Sequence, residues 1–360
     1  MTLDAKLLKT GQAPPAGGPR RGRAGLSVAR RYSAVCLWVF FIVLFGILQF
    51  HLFLTVSTVQ VVFSQGAVTA LLALAALVPL TTDTYDLSIG ETMSLGIVLM
   101  TWFGANTHLP FALTVVIVVA VSCCIGWVNG FVVVKFRVNS LIATLGMSQL
   151  LSAAQLYISQ NREITGGFSS AELKLGNGEL WGIPYLDIYL LVIAVVAWFV
   201  LEQTPLGRRM LAVGGNSEAA RLAGIRSDRI RWGSLVVSGG IAGFAGVLYA
   251  VQVGAYTSDI GSGYLFPALA AVFFGASQLS QRPNVWGTVI AYFALAFGVQ
   301  GLTLQFGAGA FWVSPLFQGA ALIIAVALAN SRRSIGNGRD GRMLRRFRRP
   351  VAEEASQPGR

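Results

Sequence analysis

Charge is scarce in this 360-residue sequence: Asp, Glu, Lys and Arg make up 12% of it, against 54% hydrophobic residues and a mean hydropathy of +0.65. That balance excludes a soluble fold of this size, because one globular core cannot hide so much apolar surface, and it points to a polytopic membrane protein. Histidine is nearly absent; His51 and His108 are isolated and far apart, so no metal site is expected. The three cysteines, Cys36, Cys123 and Cys124, all fall in apolar windows. Adjacent cysteines rarely bridge, so all three are expected to be packing residues. Also missing are GxxxxGK followed by Ser or Thr, HExxH, GxSxG and any paired-cysteine motif. Nucleotide hydrolysis, zinc proteolysis and hydrolase chemistry therefore have no motif to stand on, and neither catalytic residues nor a cofactor are expected.

What is present is a succession of apolar windows long enough for spanning helices, which need roughly 20 residues each. Ten can be read, at 34–54, 58–81, 87–104, 110–134, 141–160, 186–202, 232–253, 264–280, 285–306 and 312–330. The expected fold is all-α, a polytopic membrane protein with about ten transmembrane helices and both termini cytoplasmic. The net charge of +12 fits this orientation: 25 of the 27 Lys and Arg residues then lie on the inner side, leaving only Arg162 and Lys174 outside. Orientation accounts for the basicity, and no nucleic-acid partner is expected.

Residues 1–31, rich in Gly, Pro and Arg, read as a disordered cytoplasmic tail. The following segment runs into Gln49 and His51 without a small-residue cleavage site, so it reads as a retained first span rather than a removed signal. Residues 32–330 form the expected transmembrane domain and 331–360 a second basic tail. That tail reads as a solvated segment or as a contact with anionic membrane lipid.

Two connections are long enough for structure of their own. The outer one, about 161–185, mixes Gly, Ser and Glu with Leu and Trp and is expected to form short elements on the external face. In the inner one, 203–231, Thr204 and Pro205 end a span, Gly214 and Gly215 make a break, and Asn216 or Ser217 caps a helix through SEAARLA that stops at Gly224. A two-turn helix isolated in a loop is too short to stand alone and needs something to dock against. In the span that follows, Gly239 and Gly243 form a GxxxG with Gly246 one turn on, a pattern for close helix packing.

Two polar groupings interrupt the apolar windows. Thr144, Ser148, Ser152, Gln155 and Ser159 recur at helical intervals and share one face. Neutral hydroxyls and amides along about 22 Å of helix suit a polyol, but they equally suit interhelical hydrogen bonding. In DLSIGE, Ser88 and Glu91 have capping-box spacing and Asp86 precedes the helix. The competing reading starts that helix inside the membrane beside a solute route, with Asp83 and Asp86 as a gate. Asp259 and a turn at Gly261–Tyr264 fall in an outer loop, open either to solvent or to an external partner.

The stretch PLGRRMLAVGGNSEAARLAGI, Pro205 to Ile225, resembles the coupling-loop signature of sugar permease subunits of bacterial ABC importers of the ribose and xylose type. DLSIG, Asp86 to Gly90, is similar to that family's DLSVG, and the order of segments around NGFVVVKFRVNSLIATLG, Asn129 to Gly146, agrees as well. The resemblance covers roughly 60–330. It implies import of a small sugar or polyol, a second permease subunit as homodimer partner, ABC ATPase subunits on the cytoplasmic side, and a periplasmic solute-binding protein. By the same resemblance Gly215, Asn216, Glu218, Ala219, Ala220, Arg221 and Gly224 would couple to the ATPase. Asp86, Ser88, Glu91, Thr144, Ser148, Ser152 and Gln155 are the candidates for the translocation pathway. TTDTY, Thr81 to Tyr85, and GASQLSQRPNVWGT, Gly275 to Thr288, depart from the family pattern and leave the particular sugar open. A stand-alone secondary transporter is the alternative; it would have no use for the EAAxxxG loop.

Overall fold

The structure, a computed structural model, describes residues 33–278, 282–307, 309, 311–324 and 326–327. Both expected basic tails and the end of the last apolar window lie outside the described residues.

Every one of the ten apolar windows contains a helix. In chain order these are α1 (Ser33–Leu48), α2 (Val56–Leu80), α3 (Ile89–Asn106), α4 (Phe111–Lys135), α5 (Ser140–Ser159) and α7 (Tyr185–Trp198). After the inner connection come α10 (Ser227–Val253), α11 (Ile260–Gln278), α12 (Val285–Phe306) and α13 (Val313–Ile324). Among the described residues six helices are long and apolar enough to cross a bilayer: α2, α4, α5, α10, α12, and α7 together with its π-helical extension Phe199–Gln203. Apolar stretches of α1, α11 and α13 are shorter, and α3 is not among the six.

The outer connection folds as its composition suggests. It contains β1 (Ile164–Thr165), a short helix α6 (Ser170–Asn177), and a hairpin of β2 (Glu179–Leu180) and β3 (Ile183–Pro184). Ser169 and Glu172 close a capping box on α6, and β1 pairs antiparallel with β4 (Ala255–Tyr256) after α10. The inner connection differs from expectation. It holds two helices, α8 (Pro205–Gly215) and α9 (Ser217–Leu222). Pro205 ends nothing by itself; it is the first residue of α8, where its missing N–H costs no hydrogen bond and its fixed φ suits the helix. Thr204 caps that helix by accepting from the Gly207 N–H.

Helices α2 and α10 form the centre: 78% and 67% of their apolar windows are buried, against 28% for α4 and 22% for α5 and α7. Lipid offers no hydrophobic drive for helix association, so close packing must supply it. Glycine supplies that packing here. A Cβ at Gly239 would strike the Ser122 carbonyl, at Gly126 the Leu235 carbonyl, and at Gly246 the Met93 carbonyl. The GxxxG run of α10 thus seats that helix on α4 and α3.

Two expectations change. Cys36 and Cys124 are exposed on helix surfaces, whereas Cys123 is half-buried and lies close to Gly240. The Gly261–Tyr264 stretch is no turn: it lies in the first turns of α11, with Gly261 buried against Gly90. Asp259, at φ 65°, is exposed immediately before that helix.

Candidate functional site

Between α2 and α3 the chain leaves helical geometry for Thr81–Ser88 and yet stays inside the protein: Thr81, Thr82, Thr84, Asp86 and Ser88 are all buried. Unwound backbone at such depth is tolerated only when its polar groups find partners. Side chains of α5 provide them. The Tyr85 N–H donates to Ser140 Oγ at 3.1 Å and the Leu87 N–H to Thr144 Oγ1 at 3.0 Å.

Asp86 is the hub of this break. Its Oδ1 accepts from the Ser88 hydroxyl at 2.6 Å and the Ser88 N–H at 3.1 Å, and its Oδ2 accepts from Ser238 of α10 at 2.8 Å. Ser88 Oγ in turn accepts from Asn129 Nδ2 of α4 at 2.9 Å. One carboxylate therefore ties the break to α10 directly and to α4 through Ser88. On the far side of Thr82, its Oγ1 lies 3.3 Å from Ser234 Oγ. Such bonds are individually weak in membranes, about 0.6 kcal/mol on average, but here they converge on one group.

This geometry overturns the capping-box reading of Ser88 and Glu91. Ser88 occupies the N-cap of α3 but makes no side-chain cap bond; its hydroxyl donates to Asp86 and its oxygen accepts from Asn129 instead. The Glu91 carboxylate turns to α5, where Gln155 Nε2 donates to Glu91 Oε2 at 2.9 Å and to the Glu91 carbonyl at 3.1 Å. Gln155 Oε1 also takes a short hydrogen bond from Ser94 and lies 3.5 Å from the Tyr256 hydroxyl.

The α5 stripe faces inward as its spacing predicts. Thr144, Ser148, Gln155 and Ser159 are buried and Ser152 is half-buried, all on the side packed against α3. Asp86, Ser88, Glu91, Thr144 and Gln155 thus come together along the α3–α5 contact, while Ser148 bonds only its own helix, through the Leu145 carbonyl. Asn129, Ser234, Ser238 and Tyr256 belong to the same network and were not singled out from sequence. The signal for Asn129 was its standing as the one amide in an apolar 25-residue helix.

At one end of the bundle the break meets the inner connection. Gly214 of α8 packs so closely on the Thr81 carbonyl and the Asp83 N–H that a Cβ there would collide. Asn216 then caps α9, accepting from the Ala219 N–H at 3.0 Å, and Gly224 ends it at φ 82°. Glu218 and Arg221 form an exposed ion pair of 2.9 Å, Ala220 is buried, and Leu222 is 84% exposed. The outer face of α9 is therefore uncovered, while its base is fixed to the bundle through the bond from Ser227 Oγ to the Ser217 carbonyl.

Among the described residues no group of three or more His, Cys, Asp or Glu side chains is placed to hold a metal ion. Asp187, in the first turn of α7, is half-buried, its two carboxylate oxygens shielded and without a hydrogen-bond partner among the described residues, and it belongs to neither grouping.

Comparison with known proteins places the whole chain rather than the site. Residues 58–326 match the family described as branched-chain amino acid transport system / permease component. The chain is 30% identical over 257 residues to the ribose import permease protein RbsC of Haemophilus influenzae, covering 70% of this chain and 79% of that protein. It is 31% identical over 267 residues to the autoinducer 2 import system permease protein LsrC of Photorhabdus laumondii subsp. laumondii, covering 72% and 79%. To the ribose import permease protein RbsC of Escherichia coli K12 it is 29% identical over 285 residues, covering 78% and 88%. No solved structure matches.

Proposed function

Because the chain belongs to the family of branched-chain amino acid transport system permease components, we propose that it is the membrane-spanning subunit of an ABC importer for a small sugar or polyol. It is a multi-pass protein of the inner membrane. The observation that carries the reading is the continuous contact from the uncovered helix α9, through Gly214 of α8, to the unwound break that holds Asp86. A partner that moves α9 pushes on the break, and through Asp86 on α4 and α10. ATP hydrolysis belongs on this reading to separate ATPase subunits, which act through Gly215, Asn216, Glu218, Ala219, Ala220, Arg221 and Gly224. Asp86, Ser88 and Glu91, with Thr144, Ser148, Ser152 and Gln155, form the gating wall of the route, held shut by the bonds within the break and from Thr144 and Gln155 to it and to α3. Relatives named as ribose and autoinducer 2 import permeases support a hydroxyl-rich solute; a soluble binding protein and a second permease copy complete the proposed importer.

The test is reconstitution into proteoliposomes. Uptake of a pentose is expected only when the ATPase, ATP and the solute-binding protein are all supplied. Buried Asp86 and the shielded carboxylate of half-buried Asp187 are the features that favour a stand-alone carrier, since intramembrane carboxylates often couple ions. Uptake driven by a proton gradient with no ATPase present would establish that alternative.

The proposed topology has ten spans across 32–330, cytoplasmic termini and the 203–231 coupling loop inside, as the distribution of basic residues favours. A single cysteine replacing Glu172, on exposed α6, is expected to react with a membrane-impermeant thiol reagent from the periplasmic side only. Labelling from the cytoplasmic side alone would refute the topology.

A further inference from the structure

A cavity of about 270 Å³ opens between α2, α11, α12 and α13, away from the α3–α5 contact. Its polar wall comprises Gln65 and Thr69 of α2, Tyr264 of α11, Tyr292 and Gln300 of α12, and Gln318 of α13. Gln65, Tyr264 and Gln300 lie toward the end of the bundle where α2 begins and α12 ends, which is the outer half in the topology above, and Thr69 and Tyr292 lie deeper. Leu295, Val299 and Pro267 complete the lining with apolar surface.

Two features separate this wall from polar residues that merely join helices. Gln318 is used internally, donating to Ser314 Oγ at 2.8 Å, and Tyr292 has Thr69 as its side-chain neighbour. The amides of Gln65 and Gln300, in contrast, have no protein hydrogen-bond partner among the described residues although they face the same cavity. A carboxamide offers donors and an acceptor at once, which suits vicinal hydroxyls that do the same. Second, no Asp, Glu, Lys, Arg or His side chain lines the cavity. A zwitterion entering it would lose water from two charges and gain no counter-charge, a cost an uncharged solute avoids. The volume lies just below the usual range for small-molecule pockets, roughly 300–1,000 Å³, so a single sugar ring is the fitting size. Helix α11 connects the cavity to the gating wall: Gly261, one turn before Tyr264, is packed against Gly90 beside Glu91.

We propose, on the basis of the import reading above, that this cavity is the resting site of the solute, selecting an uncharged polyhydroxylated molecule of monosaccharide size and excluding amino acids. The full chain, with Cys36, Cys123 and Cys124 replaced by Ala and carrying Gln65→Cys or Gln300→Cys, is assembled with its ATPase and binding protein in membrane vesicles. Uptake of D-ribose, D-xylose and L-leucine is measured on the parent, and thiol labelling at both positions is timed with and without each compound. An imported pentose is expected to slow labelling at both positions several-fold, and L-leucine to leave it unchanged. The pair Gln65→Leu with Gln300→Leu is expected to insert and to co-purify with the ATPase while losing at least about tenfold in pentose uptake. Pentose import with unprotected cysteines, wild-type uptake by the double variant, or protection by L-leucine would each overturn the assignment. Failure to import either pentose would instead remove the import reading. Labelling would then judge the cavity alone, with pentose protection retaining it as a polyol site and lack of protection removing it.

Discussion

Replacing Asp86 with Leu is expected to abolish uptake and to lower the thermal stability of the purified protein, whereas Asp86→Asn keeps the fold. Asp86 is 3% exposed and accepts three hydrogen bonds, two from Ser88 and one from Ser238. Leucine accepts none. At about 0.6 kcal/mol for each contact in a membrane protein the loss is modest, but a buried donor stranded without a partner costs about 1–3 kcal/mol. The two Ser88 donors sit at the edge of a segment with no helical hydrogen bonds to fall back on. Ser88 would also lose the orientation in which its oxygen receives Asn129, so α4 and α10 are released together. Asparagine keeps one oxygen for Ser88 and turns its amide to Ser238, whose hydroxyl can accept instead of donate. The expected result is a fall in uptake of more than about 100-fold for Leu and less than about tenfold for Asn, read beside a thermal melt of each variant. Wild-type uptake in Asp86→Leu would show that the break is only a linker.

How far this site could be read from sequence depended on how local its determinants were. The α5 stripe was visible because helical spacing places Thr144, Ser148 and Gln155 on one face whatever surrounds them. Helix α9 was visible because Asn216 and Gly224 mark its ends. Ser88 and Glu91 misled for the same reason: their spacing fits a capping box, yet tertiary partners 41 and 64 residues away, Asn129 and Gln155, outbid the local bonds. Pro205 was read as a stop because proline both ends one helix and begins another, and only the amphipathic run behind it, with Gly207, Met210 and Val213 buried, distinguishes the two. The cavity was beyond reach. Gln65, Tyr264, Gln300 and Gln318 are isolated polar residues in separate spans, and nothing in the order of the chain says that α2 faces α11, α12 and α13.

The coupling helix should give the second large effect, a separation of ATP hydrolysis from transport. Glu218 and Arg221 are 73% and 68% exposed in their side chains, and an exposed ion pair contributes only about 0–1 kcal/mol. Glu218→Arg should therefore leave the chain folded and inserted while reversing the charge that α9 presents to its partner. Gly224 has nothing within 4 Å of where a Cβ would stand, so a substitution there meets no clash, only backbone strain at φ 82°. A β-branched residue tolerates that conformation badly, and Gly224→Val should re-aim α9 without disturbing the bundle. Gly214→Val acts at the other end of the lever, forcing α8 away from the Thr81 carbonyl. Coupling requires an element that two sites bias, not tight binding. All three variants are therefore expected to insert and retain associated ATPase, to keep measurable ATP hydrolysis, and to lose more than about tenfold in uptake. Uptake and ATPase rates are measured side by side in the same proteoliposomes. If Glu218→Arg and Gly224→Val both preserve the number of solute molecules carried per ATP, α9 is not where the ATPase pushes, and the contact through Gly214 to Asp86 transmits nothing.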